Sequence, residues 1–181
     1  MIEKERQAQL EACVPDIWNY DHYLYVGANE KRFHFKQKLM ELSLYGGSTI
    51  DVIEANSGNI PFLIKQTWIR DVCNDDIRNF AFSGTYPWMD KYDATIWSHG
   101  PTCLNTKEFA EQTIQFLKKI SKLIVIMCPW GLYPESQDKT SYYDTNKFAL
   151  YPYFFEQLGF KTDTIGSPDV AGSNLLAWWQ R

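Results

Sequence analysis

The chain has 181 residues, 45% of them hydrophobic and 16% aromatic, with a formal net charge of −4. That size suits a single domain with one substantial core, and that composition excludes a globally disordered chain. The acidic balance, with basic residues crowded only into 30–38 and 118–122, argues against a nucleic-acid backbone as main partner, and no apolar run approaches a bilayer span.

The charged opening, MIEKERQAQLEACVPDI, lacks the apolar centre of a secretory signal, so a cytoplasmic setting is expected. Residues Glu3–Ala12 read as a covering helix ended by Cys13–Pro15. His22–Val26 is the first strand, Gly27-Ala28-Asn29 a tight turn, and Phe33–Leu44 a helix with apolar residues at near-helical spacing, stopped by Gly46-Gly47. A second unit repeats the plan, with strand Ser48–Glu54 and a short helix Ser57–Lys65 carrying Pro61 in its first turns. Thr67–Asp71 reads as a third strand, and Asn74-Asp75-Asp76 can cap a brief helix through Phe80. After a loop at Ser83–Asp90 come strand four, Tyr92–Ser98, and the strongest helix, Lys107–Ile120, capped by Asn105 or Thr106.

Leu123–Met127 is apolar throughout, the pattern of a central parallel strand covered on both faces. The stretch from Cys128 to Thr145 is longer than an ordinary connection and rich in Tyr, Ser, Asp and Pro, as functional loops are. A short helix, Tyr151–Leu158, precedes strand Phe160–Ile165, and Asn174–Trp179 is a last strand with no helix behind it. The order predicts a doubly wound, Rossmann-like three-layer sandwich, with a mostly parallel seven-stranded sheet and an antiparallel last strand. The closing LLAWWQR puts Trp178 and Trp179 on opposite faces, one for packing and one available for an interface, which leaves two open expectations: a homodimer through the terminal strand edge, or a partner protein that completes the short domain.

Several residues sit where chemistry is expected. Gly27 serves either close packing or the approach of a ligand to backbone. Asn29 is a second turn residue that tolerates a left-handed backbone. Glu54, 27 residues beyond Gly27, can accept hydrogen bonds from vicinal hydroxyls at a strand's carboxyl end, or can cap the next turn. Asp71 has the same choice between a ligand and a helix cap. His99 follows strand four, where a neutral imidazole can take a proton from a hydroxyl or amine, or can simply bond backbone. Trp130, Tyr133, Tyr142 and Tyr143 can wall a binding pocket or seal the edge of the domain. The four cysteines, Cys13, Cys73, Cys103 and Cys128, show no metal spacing and read as free thiols, and no metal site is expected from the scattered histidines.

From Tyr20 to Arg181 this arrangement resembles the class I S-adenosylmethionine-dependent methyltransferases, which divides the chain into a helical extension, 1–19, and a methyltransferase-like domain, 20–181. Tyr25-Val26-Gly27-Ala28-Asn29 stands at the family's glycine-rich turn, Glu54 in DVIEAN at its ribose-binding acid, and Asp71 in IRDV at the acid near adenine. YDATIWSHGPTCL resembles the small-molecule and sugar-modifying members, with Thr102 and Cys103 where those carry an acid and a histidine. The resemblance implies S-adenosylmethionine as cofactor, a small-molecule acceptor facing His99, and no membrane or nucleic-acid partner. Two alternatives share the pattern: an inactive binding or scaffold protein, which the missing glycines and the Thr102-Cys103 replacement suit, and a nicotinamide-dependent oxidoreductase, which would bind NADH.

Overall fold

In β1, His22–Val26, successive side chains leave opposite faces of the strand, so Tyr23 and Tyr25 enter one apolar cluster and Leu24 and Val26 another. The same alternation runs through β5, Ser121–Cys128, where Leu123, Val125 and Met127 face the first cluster and Ile124, Ile126 and Cys128 the second. A sheet apolar on both sides needs helices on both sides, and the chain supplies them. The computed structural model describes residues 2–30, 33–83, 92–131 and 146–181. Helices α1 (Ile2–Cys13), α2 (Lys36–Gly46) and α3 (Ile60–Leu63) give Leu10, Leu39 and Leu63 to the first cluster. Helices α4 (Ile77–Ser83), α5 (Lys107–Ile120) and α6 (Pro152–Gln157) cover the second with residues such as Ile77, Ile114 and Phe155.

The remaining strands are β2 (Thr49–Ile53), β3 (Asp71–Cys73), β4 (Tyr92–Ser98), β6 (Lys161–Ile165) and β7 (Asn174–Gln180). Their order is β3-β2-β1-β4-β5-β7-β6, and β7 alone runs antiparallel to its neighbours, β5 and β6. This is the expected sandwich, and it places the reversal of strand order between β1 and β4, where ligands of doubly wound sheets bind at the carboxyl ends. Helix α5 starts where its cap demands: the Thr106 hydroxyl accepts from Phe109 N at 3.3 Å. Among the described residues no helix is long and apolar enough to cross a membrane.

Three expectations are corrected. The third strand is Asp71–Cys73 and not Thr67–Asp71, because Trp68 is drawn into the core beside Phe33, with ring centroids 5.4 Å apart. The chain around it forms turns, with Gln66 N donating to Leu63 O and Ile69 N to Gln66 O. The stretch Ser57–Lys65 holds only a 3-10 turn, Ser57–Asn59, followed by α3. Trp178 and Trp179 do not divide into a packed and a free ring: both are half-buried, each against a different core cluster, and the Lys118 ammonium lies 5.1 Å from the Trp179 ring. One charge is folded into the sheet: Asp51, wholly buried in β2, accepts from Arg70 Nε at 2.9 Å, from Arg70 Nη2 and from the Tyr92 hydroxyl at 2.8 Å.

Candidate functional site

Beyond β1 the chain turns at Gly27, whose φ of +77° is the region closed to most side chains. Its N–H donates to Ile53 O at 2.8 Å, which ties the turn to the end of β2. A methyl group built there would meet only Ser98 O, at 4.0 Å, so crowding by protein is not the reason for glycine. The backbone conformation is the reason, and the space above the turn is open to a ligand. Asn29 lies in the same cleft but is not among the non-glycine residues with positive φ, so it does not replace a glycine.

Glu54 directly follows β2 and is only 5% exposed. Its Oε1 accepts from Asn56 N at 2.7 Å and from Asn59 Nδ2 at 3.1 Å, so the carboxylate both organises the following turn and lines the cleft. The two readings of this residue are therefore compatible. At the end of β3, Asn74 Nδ2 donates to Glu54 O at 2.9 Å and brings Asp75 and Asp76 to the cleft wall. Asp75 Oδ1 accepts from Asp76 N and Asn79 Nδ2, and Asp76 pairs with Arg78, whose Nε lies 2.9 Å from Oδ1. Asp71 is elsewhere: it opens β3, is exposed, and does not line the cleft.

The fourth wall comes from β4 and the turn behind it. His99 has φ +60°, its N–H donates to Met127 O at 2.7 Å, and its Nε2 lies 3.1 Å from Arg6 Nη1. Its ring centroid is 5.0 Å from that of His34, and the Cys103 thiol donates to its carbonyl at 3.1 Å. The buried indole of Trp97 lines the cleft and fills the place where a Gly100 side chain would be. Together these walls enclose about 730 Å³, counting the mouth open to solvent.

The sequence expectations thus meet the structure unevenly. Gly27, Asn29, Glu54 and His99 share one cleft. Trp130 does not line it: this half-buried residue packs against the α4–α6 core cluster, and its carbonyl accepts from Asp169 N at 3.0 Å. Tyr133, Tyr142 and Tyr143 fall outside the described residues. Sequence reasoning missed Asp75 and Asp76 as lining residues because β3 ends later than its apolar pattern suggests. It also missed Ser98, a cleft residue whose buried Oγ has no hydrogen-bond partner of ordinary geometry among the described residues. Burial, and then Asp75, push the Cys73 thiol up, and burial pushes Cys128 far up, so neither is a thiolate nucleophile at neutral pH.

No family model and no curated protein sequence matches this chain. Solved structures do. A SAM-dependent methyltransferase from Archaeoglobus fulgidus is 18% identical with a TM-score of 0.59, over 98% of this chain and 94% of that one. TehB from Haemophilus influenzae is 13% identical with a TM-score of 0.61, over 94% of this chain and 61% of that one. Magnesium protoporphyrin IX methyltransferase from Synechocystis, solved with bound SAM, is 10% identical with a TM-score of 0.58, over 97% of this chain and 77% of that one. At such identities the likeness is one of architecture, and the chain has the fold of the class I S-adenosylmethionine-dependent methyltransferases, with its cleft at the carboxyl ends of β1, β2 and β4.

Proposed function

We propose that this cleft binds S-adenosylmethionine and that the protein transfers its methyl group to a small-molecule acceptor in the cytoplasm. The observation that carries the reading is the buried Glu54 carboxylate at the end of β2, in one cleft with the open turn at Gly27 and the acids behind β3. An acid at the carboxyl end of the second strand supports the reading, in which Glu54 accepts from the two ribose hydroxyls. Asp75 or Asp76, and not Asp71, takes the adenine side of the reading. The Ser98 hydroxyl, which lines the cleft beside the buried Tyr25 hydroxyl, fits a ligand with a polar end near β4, as the amino acid part of this cofactor has. When bound, the cofactor supplies a methyl group already activated by its sulfonium. The protein's task is then orientation and exclusion of water, with the Trp97 indole as an apolar wall and His99 facing the acceptor.

The test is Glu54→Gln, which keeps an oxygen for Asn56 and Asn59 and removes the charge. S-adenosylhomocysteine affinity is expected to fall about tenfold, the difference between a charged and a neutral hydrogen bond. Unaltered affinity overturns the ribose assignment. A second reading, a binding protein without transfer, draws on Thr102: it is buried and its Oγ1 donates to Asn146 Oδ1 at 2.5 Å, a structural use of the position where the resembling members carry an acid. Cofactor binding without methyl transfer to any acceptor in a broad screen is the result that favours it.

A further inference from the structure

Helix α1 reaches the carboxyl edge of the sheet with residues spaced three apart, which share one side of a helix. Glu3 Oε1 accepts from Phe35 N at 3.2 Å, and Arg6 Nη1 lies 3.1 Å from His99 Nε2. Gln9 accepts from Asn174 Nδ2 at 2.9 Å and donates to Asp163 Oδ2 at 2.9 Å. Two of these anchors are unusual: Phe35 and His99 have φ of 61° and 60°, and a non-glycine residue held there costs about 1–2 kcal/mol. Both strained residues are gripped by α1, and strain kept in place by surrounding contacts clusters at functional sites.

The Arg6 contact also fixes a proton. Arg6 is buried, 8% exposed, and a guanidinium only donates hydrogen bonds. His99 Nε2 is therefore the acceptor, the imidazole is neutral, and its proton sits on Nδ1. A ring in that state has no free lone pair with which to remove a proton from an acceptor.

We propose that Arg6 is a positioning residue: by donating to Nε2 it fixes the Nδ1–H form of His99, so that His99 does not act as a base toward an acceptor in the cleft. The consequence for an acceptor rests on the methyltransferase reading; the protonation state does not.

The experiment is long-range proton–nitrogen correlation NMR of the ligand-free full chain, at a pH about two units above the ordinary imidazole value. His99→Gln assigns the His99 signals among the three histidines of the sequence. Wild type is expected to show His99 protonated at Nδ1. Arg6→Ala is expected to move the proton to Nε2, so that the two ring nitrogens exchange their chemical-shift positions. Arg6→Lys, which still donates, and Gln9→Ala, which loosens α1 without touching His99, are expected to keep the wild-type pattern. Wild-type His99 protonated at Nε2, or an Arg6→Ala spectrum like wild type, overturns the proposal. If Arg6→Ala does not fold, the wild-type and Arg6→Lys spectra decide it. Titration of the same samples with S-adenosylhomocysteine is a separate readout: failure to bind sinks the methyltransferase reading and leaves the protonation result intact.

Discussion

Gly100→Ala isolates the packing of the cleft's apolar wall. Gly100 has φ −76° and ψ −47°, an ordinary right-handed conformation, so alanine costs nothing in the backbone. Space is the whole effect. The new methyl carbon would lie 1.3 Å from Trp97 Nε1, 2.2 Å from Cδ1 and 2.3 Å from Cε2, and the indole must retreat by about 2 Å to restore contact. Trp97 is 1% exposed in a core packed like an organic crystal, so it has nowhere to go without moving its neighbours. Overpacking costs about 1–3 kcal/mol, and a rigid ring hit at this distance puts the cost near 3 kcal/mol. For a chain of this size the melting temperature falls by about 6–12 °C. Urea unfolding of Gly100→Ala, Trp97→Phe and the double variant measures it. The alanine should cost clearly less beside phenylalanine, which lacks the pyrrole ring it strikes. Gly46→Ala is the control, since its methyl meets nothing closer than Leu42 Cδ2 at 3.9 Å. A Gly100→Ala protein within about 0.5 kcal/mol of wild type refutes the reasoning.

Other perturbations follow from the same contacts. Arg70→Ala leaves the buried Asp51 carboxylate with the Tyr92 hydroxyl, and should cost about 2–3 kcal/mol in urea unfolding, below the full range for a buried pair because the Arg70 side chain is 37% exposed. A change under about 0.5 kcal/mol would show that water already serves Asp51. Burial raises the Asp93 carboxyl, but bonds from Lys122 Nζ at 2.6 Å and His22 N at 3.1 Å outweigh it and hold the group below its usual value. A depressed carboxyl stabilises the fold above its unfolded value and loses that contribution as pH falls through the folded one. Asp93→Asn should therefore be less stable than wild type by no more than about 1 kcal/mol at neutral pH, with Lys122 largely exposed, and the gap should close below about pH 4. A gap that widens in acid contradicts the sign.

What was legible in the sequence follows how local its cause is. Strands β1 and β4 and helix α5 have the expected bounds, and Thr106 is the one of the two cap candidates that caps α5, because short apolar runs and helix caps act within a few residues. The third strand is hard to place from sequence because the apolar residues of Thr67–Ile69 fill the core as a turn around Trp68, and a run of three or four residues does not reveal whether it is strand or turn. With β3 running to Cys73, Asp71 opens the strand, and Asp75 and Asp76 line the cleft. Glu54 was visible as a strand-end acid, but its bonds to Asn56 and Asn59 were not, and they make Glu54→Gln a cleaner probe than Glu54→Ala. The Arg6–His99 contact joins residues 93 positions apart and leaves no local trace.

The most direct test of the account is calorimetric titration of ligand-stripped protein with S-adenosylhomocysteine, with NADH as comparison. Saturable binding of S-adenosylhomocysteine alone at micromolar scale, about −8 kcal/mol, is the predicted result. No binding of it, or equal binding of NADH, contradicts the assignment of this cleft.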